Sequence, residues 1–270
     1  MVILGTEERG NRLNFKEAWD YRELLLFLSW RDLKIRYKQT VLGMAWSVVQ
    51  PVFSMVMMTV VFGKLAKIPA DGLPYPVFNY AALVPWTFFV NSISRCSFSL
   101  VGNSHLITKV YFPRLIIPVA SILPGLFDYA IAFSLMAPLM LYFGILPTWS
   151  VLYSVPLLTL NIMVLSLGLG LCLSSLNVKF RDVGNLIPFM IQLAMYATPI
   201  VYPLSLVPEK YRWLMMCNPM TGTVEGFRSA LLGTPWNLTA ICVSVAMSAF
   251  FLVIGLIFFT RVERSFTDVV

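Results

Sequence analysis

Apolar residues gather in six long runs, at about 41–62, 78–101, 115–143, 151–176, 183–202 and 237–260. A helix needs about 20 largely apolar residues to cross the hydrocarbon core of a bilayer. Each run reaches that length, so the pattern predicts an all-α integral membrane protein with six transmembrane helices. Pro51 predicts a kink in the first run, and Pro118, Pro124 and Pro138 predict an irregular third. Two stretches depart from the pattern: the polar segment 1–40 before the first run, and the segment from Thr198 to Gly233 before the last.

The polar segment turns helical from about Trp19. Leu26, Trp30, Leu33 and Tyr37 recur at i, i+4, i+7 and i+11, with Arg31, Lys34 and Lys38 as a basic stripe beside them. Such a helix suits the headgroup layer, its apolar face in lipid and its basic side chains along the flank. The stripe has two possible uses. It can fix this end in the cytoplasm, or it can also meet an anionic lipid-linked substrate.

The second stretch, TPIVYPLSLVPEKYRWLMMCNPMTGTVEGFRSALLG, is rich in helix breakers. Two short helices fit within 203–233. One runs from Pro208 to about Cys217. The other has Asn218 as N-cap, Pro219 at its first position and Gly233 just past its end. Both are too short to cross a bilayer. They form either a surface hairpin or a re-entrant pair dipping into the membrane, where irregular backbone survives only against protein or a water-filled cavity. Glu225 and Arg228, three apart, share a face of the second helix; exposed, such a pair is worth only about 0.2–0.5 kcal/mol.

Composition fits the membrane assignment. Of the 270 residues 58% are hydrophobic and 12% charged, about half the charge of a soluble domain. The net charge of +7 bears on orientation, not on nucleic acid. Lys109, Arg114, Lys179, Arg181, Arg261, Arg264 and the eight basic residues of 1–40 fall on one side of a six-span chain. Lys64, Lys67, Lys210, Arg212 and Arg228 fall on the other. The imbalance puts both termini in the cytoplasm and the 198–233 stretch outside. Two charges lie within the runs. Arg95 is near an inner end and can snorkel, whereas Asp128 is nearer the middle and either pairs with Arg95 or lines a watery route. Close spacing of small residues in SLGLGLCLSS, Ser166 to Ser175, allows tight helix approach.

Chemistry is sparse. There is no Walker A sequence, no HExxH and no GxSxG. His105 is the sole histidine, and the four cysteines show no metal or disulfide spacing. No catalytic residue, metal site or cofactor is expected in this chain.

Three strings carry a family resemblance: the 198–233 stretch, RDLKIRYKQTVLGMAWSVVQP from Arg31 to Pro51, and LVPWTFFVNSISR in the second run. They resemble the ABC-2 type permeases that export bacterial polysaccharides, over nearly the whole chain from about Arg31. The resemblance implies a cytoplasmic segment 1–40 and a transmembrane domain 41–270, in a homodimer in the bacterial inner membrane. It implies two partner ATP-binding cassette subunits holding ATP and Mg, and a lipid-linked polysaccharide, foremost O-antigen, as cargo. It places ATPase coupling in the 102–114 loop, at Lys109, Tyr111, Phe112 and Arg114. It makes the 203–233 helices a periplasmic gate with Glu225 and Arg228, and the dimer interface a channel for the sugar chain. Aromatic candidates for that channel are Trp86, Phe88, Phe89, Tyr129, Tyr196 and Tyr202; Arg31, Lys34 and Lys38 would face the lipid pyrophosphate. Capsule polysaccharide and teichoic acid are alternative cargoes. A small-molecule exporter and a membrane enzyme acting on lipid-linked sugars are the other readings.

Overall fold

A computed structural model describes residues 19–38, 43–110, 112–180 and 182–263. Helix α1 is Arg22–Tyr37. A tight turn, Gly43–Ala45, leads into α2 (Trp46–Met58), which continues as a wide-turned segment, Thr59–Leu65. Next come α3 (Tyr75–Gly102), α4 (Ser104–Lys109), α5 (Ile116–Ser134), α6 (Met136–Tyr142) and α7 (Val151–Lys179). The chain closes with α8 (Asp182–Tyr196), α9 (Glu209–Met216), α10 (Pro219–Leu232) and α11 (Leu238–Val262).

Among the described residues, four helical stretches are long and apolar enough to cross a membrane: Gly43–Leu65, Ile116–Tyr142, Val151–Lys179 and Leu238–Val262. The protein is therefore a multi-pass membrane protein. The other two expected spans differ in instructive ways. Helix α3 has 28 residues, about 42 Å at 1.5 Å each. It carries Asn79, Asn91, Ser92, Arg95 and Ser97, which lower its hydropathy. It is also the helix that α2, α5, α7 and α10 all pack against, so most of its surroundings are protein and not lipid. Helix α8 stops at Tyr196 after 15 residues, about 22 Å, short of the roughly 30 Å hydrocarbon layer. Pro199 and Pro203 follow, and the chain turns irregular. The third span breaks at Leu135, because Pro138 cannot donate a backbone hydrogen bond to Ser134.

The small residues of α7 do what their spacing suggested. A side chain on Gly168 would lie 2.5 Å from the backbone of Phe251 and Leu252, and one on Gly255 would lie 2.2 Å from the Gly168 carbonyl. Gly170 sits against Cys96 of α3. Helices α3, α7 and α11 thus pack nearly backbone to backbone.

On α1, Leu26 and Trp30, of the apolar line expected to lie in lipid, are 62% and 60% exposed. Leu28 is the residue of α1 buried in protein, with Tyr21, Leu24 and Leu25 beside it, in a cluster with Leu100, Ile107, Phe112 and Phe259. The helix also runs along α5. Ser29 donates to the Ala120 carbonyl at 3.1 Å, and Tyr37 donates to Asp128. Both partners are 91 positions away, so the two helices lie side by side and parallel for about 12 Å. Leu26, Trp30 and Phe27 remain open to an apolar surrounding.

The short helices before the last span differ from each other. Helix α10 is capped as its sequence indicated: the Asn218 side chain accepts from the Met220 amide, Pro219 is first, and Gly233 ends it at φ +71. It is buried almost all round, between α3, α7 and α11, and is not amphipathic in its setting. Helix α9 is exposed, with Tyr211, Trp213 and Leu214 open. A β-carbon on Gly222 would fall 2.0 Å from the Ala240 carbonyl, so α10 touches α11 through this glycine.

Gly222→Val should therefore force α10 off α11, an overpacking cost of about 1–3 kcal/mol or more. Detergent-solubilised variant should melt well below wild type in a fluorescence-detected thermal assay. Gly102→Ala, whose new methyl meets nothing within 4 Å, should melt with wild type. Equal melting of all three would refute the close contact.

Candidate functional site

Asp128 on α5 is 7% exposed and gathers four partners. Its Oδ1 accepts from the Tyr37 hydroxyl and from Ser47 Oγ at 2.9 Å. Its Oδ2 accepts from Arg95 Nη2 at 2.9 Å and pairs with Arg36 Nη1 at 2.5 Å. These residues come from the end of α1, the start of α2, the second half of α3 and the middle of α5. The constellation carries two positive charges and one negative. A cavity of about 240 Å³ opens beside it, lined by Trp46, Gln50, Thr87, Phe88, Asn91 and Tyr129 among others. Gly125, one turn before Asp128, lets Phe88 approach α5: a side chain there would meet the ring at 3.3 Å.

Asp128 lies near the middle of the 27-residue apolar stretch Ile116–Tyr142, and the end of α1 and the start of α2 meet it there. Ser47 is the second residue of α2, so Asp128 stands level with the start of the first apolar span. About 18 Å of α5 precedes it, and α1 covers that part. Arg95 does not snorkel away; it pairs with Asp128, at the depth where α1 ends.

The aromatic candidates separate into groups. Trp86, Phe88, Phe89 and Tyr129 are all buried, with Trp86 and Phe89 centred 5.5 Å apart and Phe88 and Tyr129 5.0 Å apart. Phe88 and Tyr129 also border the cavity. Tyr196 is 61% exposed at the end of α8, and the half-buried Tyr202 donates to its carbonyl at 3.0 Å. Within one chain the last two do not join the first four.

The basic stripe is divided too. Arg31 bonds to Asp32 at 2.7 Å and to Asn103 at the end of α3 at 2.8 Å, while Lys34 and Lys38 are exposed. In the 102–114 loop, Lys109 is exposed and Phe112 is buried in the cluster around Leu28. Arg114 donates to the Glu263 carbonyl, and Tyr111 lies outside the described residues.

Glu225 and Arg228 do face each other, at 2.9 Å, but not as an exposed pair. Arg228 is 1% exposed. Its Nη2 donates to the Ile200 carbonyl at 2.8 Å, and its guanidinium lies 3.7 Å from the centre of the Phe78 ring. Burial pushes its pKa down to about 10, against the opposing pull of Glu225, so it remains a cation at neutral pH. Tyr75 donates to the next carbonyl, Val201, at 2.7 Å, and Asn218 donates to Ala197 at 3.0 Å. The irregular backbone after α8 is thus held by side chains of α3, α10 and the α10 cap. Deeper in, Asn161, Thr223 and Ser244 bond to one another at 2.9–3.0 Å and join α7, α10 and α11.

Sequence reasoning missed Arg36, Tyr37 and Ser47 as partners of Asp128. A signal existed. Ser29, Asp32 and Arg36 lie at i, i+3 and i+7, a second polar line beside the basic stripe, and Ser29 and Arg36 on it meet α5.

Comparison with known proteins agrees with this architecture. The ABC-2 type transporter model matches residues 23–232. The chain is 27% identical over 247 residues to the O-antigen export system permease protein RfbA of Klebsiella pneumoniae, covering 92% of this chain and 95% of that one. It is 30% identical over 217 residues to the O-antigen export system permease protein RfbA of Myxococcus xanthus, covering 79% and 82%. The polysialic acid transport protein KpsM of Escherichia coli is 25% identical over 217 residues, covering 77% and 80%. The match takes in α1, the Asp128 hub and the whole 198–232 stretch, and the chain belongs to the ABC-2 type transporter family.

Proposed function

We propose that this chain is the permease subunit of an ATP-driven exporter that moves a lipid-linked surface polysaccharide, O-antigen, across the bacterial inner membrane. The observation that carries the reading is the end-to-end similarity to O-antigen export permeases. The similarity to a polysialic acid transporter supports a capsule polysaccharide as the second cargo to test. In this reading α3 and α8 complete a set of six spans, both termini are cytoplasmic, and α9 and α10 guard the outer mouth.

The open apolar faces of α2 and α8 fit the same reading. Phe53 and Val56 on α2, Val60 in the wide-turned segment that follows, and Leu186, Phe189 and Met190 on α8 all point away from the chain's own core. A second copy and lipid would cover them, with a sugar path between the copies. Energy would come from two partner ATPase subunits, which hold the ATP and Mg. Lys109 is an exposed candidate for the ATPase contact. Phe112 would act indirectly, by holding the loop to the cluster around Leu28.

Three outcomes follow. Deleting the gene should leave lipid-linked polysaccharide inside the cell and remove it from the surface, as seen by immunoblot, and a plasmid copy should restore it. Unchanged surface polysaccharide would end the cargo assignment. Purified alone, the chain should release no phosphate from ATP above background, whereas co-expressed with its ATPase it should co-purify, and Lys109→Glu should weaken that complex.

Arg228→Ala should be costly, because it strands Glu225 and uncaps the Ile200 carbonyl. Breaking a buried pair costs about 3–5 kcal/mol. The variant should be depleted from membranes and melt early. If Arg228→Ala melts and exports like wild type, the buried pair holds nothing in place.

A further inference from the structure

We propose that the cavity beside Asp128 is a binding site for the phosphate oxyanions of a lipid diphosphate, gripped by Arg36 and Arg95. The inference rests on the lipid-linked cargo proposed above and names where its charged end would sit.

The hub is unbalanced in charge and in hydrogen bonding. A carboxylate has about four acceptor positions, and Asp128 has four partners, from Tyr37, Ser47, Arg95 and Arg36. A guanidinium has five N–H donors. Among the described residues, Arg36 and Arg95 each use one nitrogen, and both use it on the same Oδ2. The site therefore holds a surplus of forked donors and a net positive charge, with its one carboxylate fully occupied. A group with several acceptors and no donors, carrying negative charge, satisfies that surplus. Phosphate is the ligand that guanidinium forks match. The side chains are reachable, at 38% exposure for Arg36 and 24% for Arg95. The cavity has the volume of about eight water molecules, enough for a diphosphate and too little for a sugar chain.

A second observation points to the lipid part. Trp46 lines the cavity and begins a row: Trp46, Val49, Phe53 and Val56 on α2, at i, i+3, i+7 and i+10, continued by Val60 in the wide-turned segment that follows. Every one of them is exposed, from 41% to 66%. An apolar stripe thus climbs α2 from the mouth of a cationic cavity. A molecule with a diphosphate head and a hydrocarbon tail meets both features at once. Asp128 then opposes the phosphate as a neighbouring negative charge that also holds one nitrogen of each guanidinium.

The test uses the full-length permease in phosphatidylcholine nanodiscs, with farnesyl diphosphate as probe and binding read by native mass spectrometry. Farnesyl diphosphate should bind at least tenfold more tightly than farnesol. Arg36→Gln, at the partly exposed end of α1, should lose at least fivefold, and Arg95→Gln as much if it folds. Asp128→Asn should bind more tightly than wild type, a gain that a merely structural role for Asp128 would not give. Equal binding of farnesol and the diphosphate, or unchanged binding by Arg36→Gln, would overturn the site. Replacing phosphatidylcholine by phosphatidylglycerol separates the sources of phosphate. Retained binding supports the diphosphate lipid; binding abolished by phosphatidylglycerol gives the site to ordinary phospholipid headgroups and overturns that assignment. Surface polysaccharide in the deletion strain reads on the cargo alone, so either idea can fail without the other.

Discussion

The carboxylate of Asp128 is the point at which α1, α2, α3 and α5 are tied together. A charge removed from water must be compensated, and here two arginines and two hydroxyls do so from three other helices. The consequence is architectural. Because Tyr37 and Arg36 reach the same carboxylate as Ser47, the end of α1 and the start of α2 are pinned to one depth on α5. The parallel run of α1 along α5, the packing of Leu28 and the polar face of α3 all follow from that junction. Asp128 without Arg36 and Arg95 would be a buried anion, and either arginine without Asp128 would lose its tie to α5.

The stretch after α8 poses a different problem, that of backbone. From Ala197 to Pro203 the chain is irregular, yet Thr198, Pro199, Ile200 and Val201 are buried. Side chains meet two of their carbonyls, Arg228 at Ile200 and Tyr75 at Val201, while Asn218 meets the neighbouring Ala197. This explains why a helix as short as α10 is wholly enclosed. It carries Arg228 to the place where an irregular segment needs a donor. Gly222, Thr223 and the α10 cap let it lie flush against α11 and α7 while doing so.

Legibility in the sequence tracked the range of the interaction. The ends of α10 were evident because Asn218, Pro219 and Gly233 act on their own neighbours. The small residues of α7 were evident because close packing needs a lack of side chain, whoever the partner is. Which residue of α1 meets protein was not legible. Its apolar residues run nearly all round the helix, and Leu28 becomes the buried one only through Leu100, Ile107 and Phe112, far away in sequence. The burial of Arg228 was invisible for the same reason, since it depends on Phe78 and Ile200. Helix α3 shows the converse case. Its polar residues lower its apolar character, yet its place among four other helices makes it the most protein-bound of the long helices. Asp128 was recognised as unusual and pairing with Arg95 was one expectation for it, but Arg36, Tyr37 and Ser47 were not foreseen, because only the fold brings α1 and α2 to it.

The two regions also differ in how firmly each is closed. Arg228 is enclosed, and its cation is shared among a carboxylate, a carbonyl and an aromatic face, so the groups around it are mutually dependent and resist rearrangement. Arg36 and Arg95 are partly exposed and hold a single carboxylate oxygen between them beside an open volume. An interaction of the first kind suits a hinge-free anchor. One of the second kind leaves the remaining N–H groups of each guanidinium open to a second anion while Asp128 stays paired. The groups around the 198–233 stretch are thus closed to a further ligand, while those where α1 meets α2 still offer donors to one.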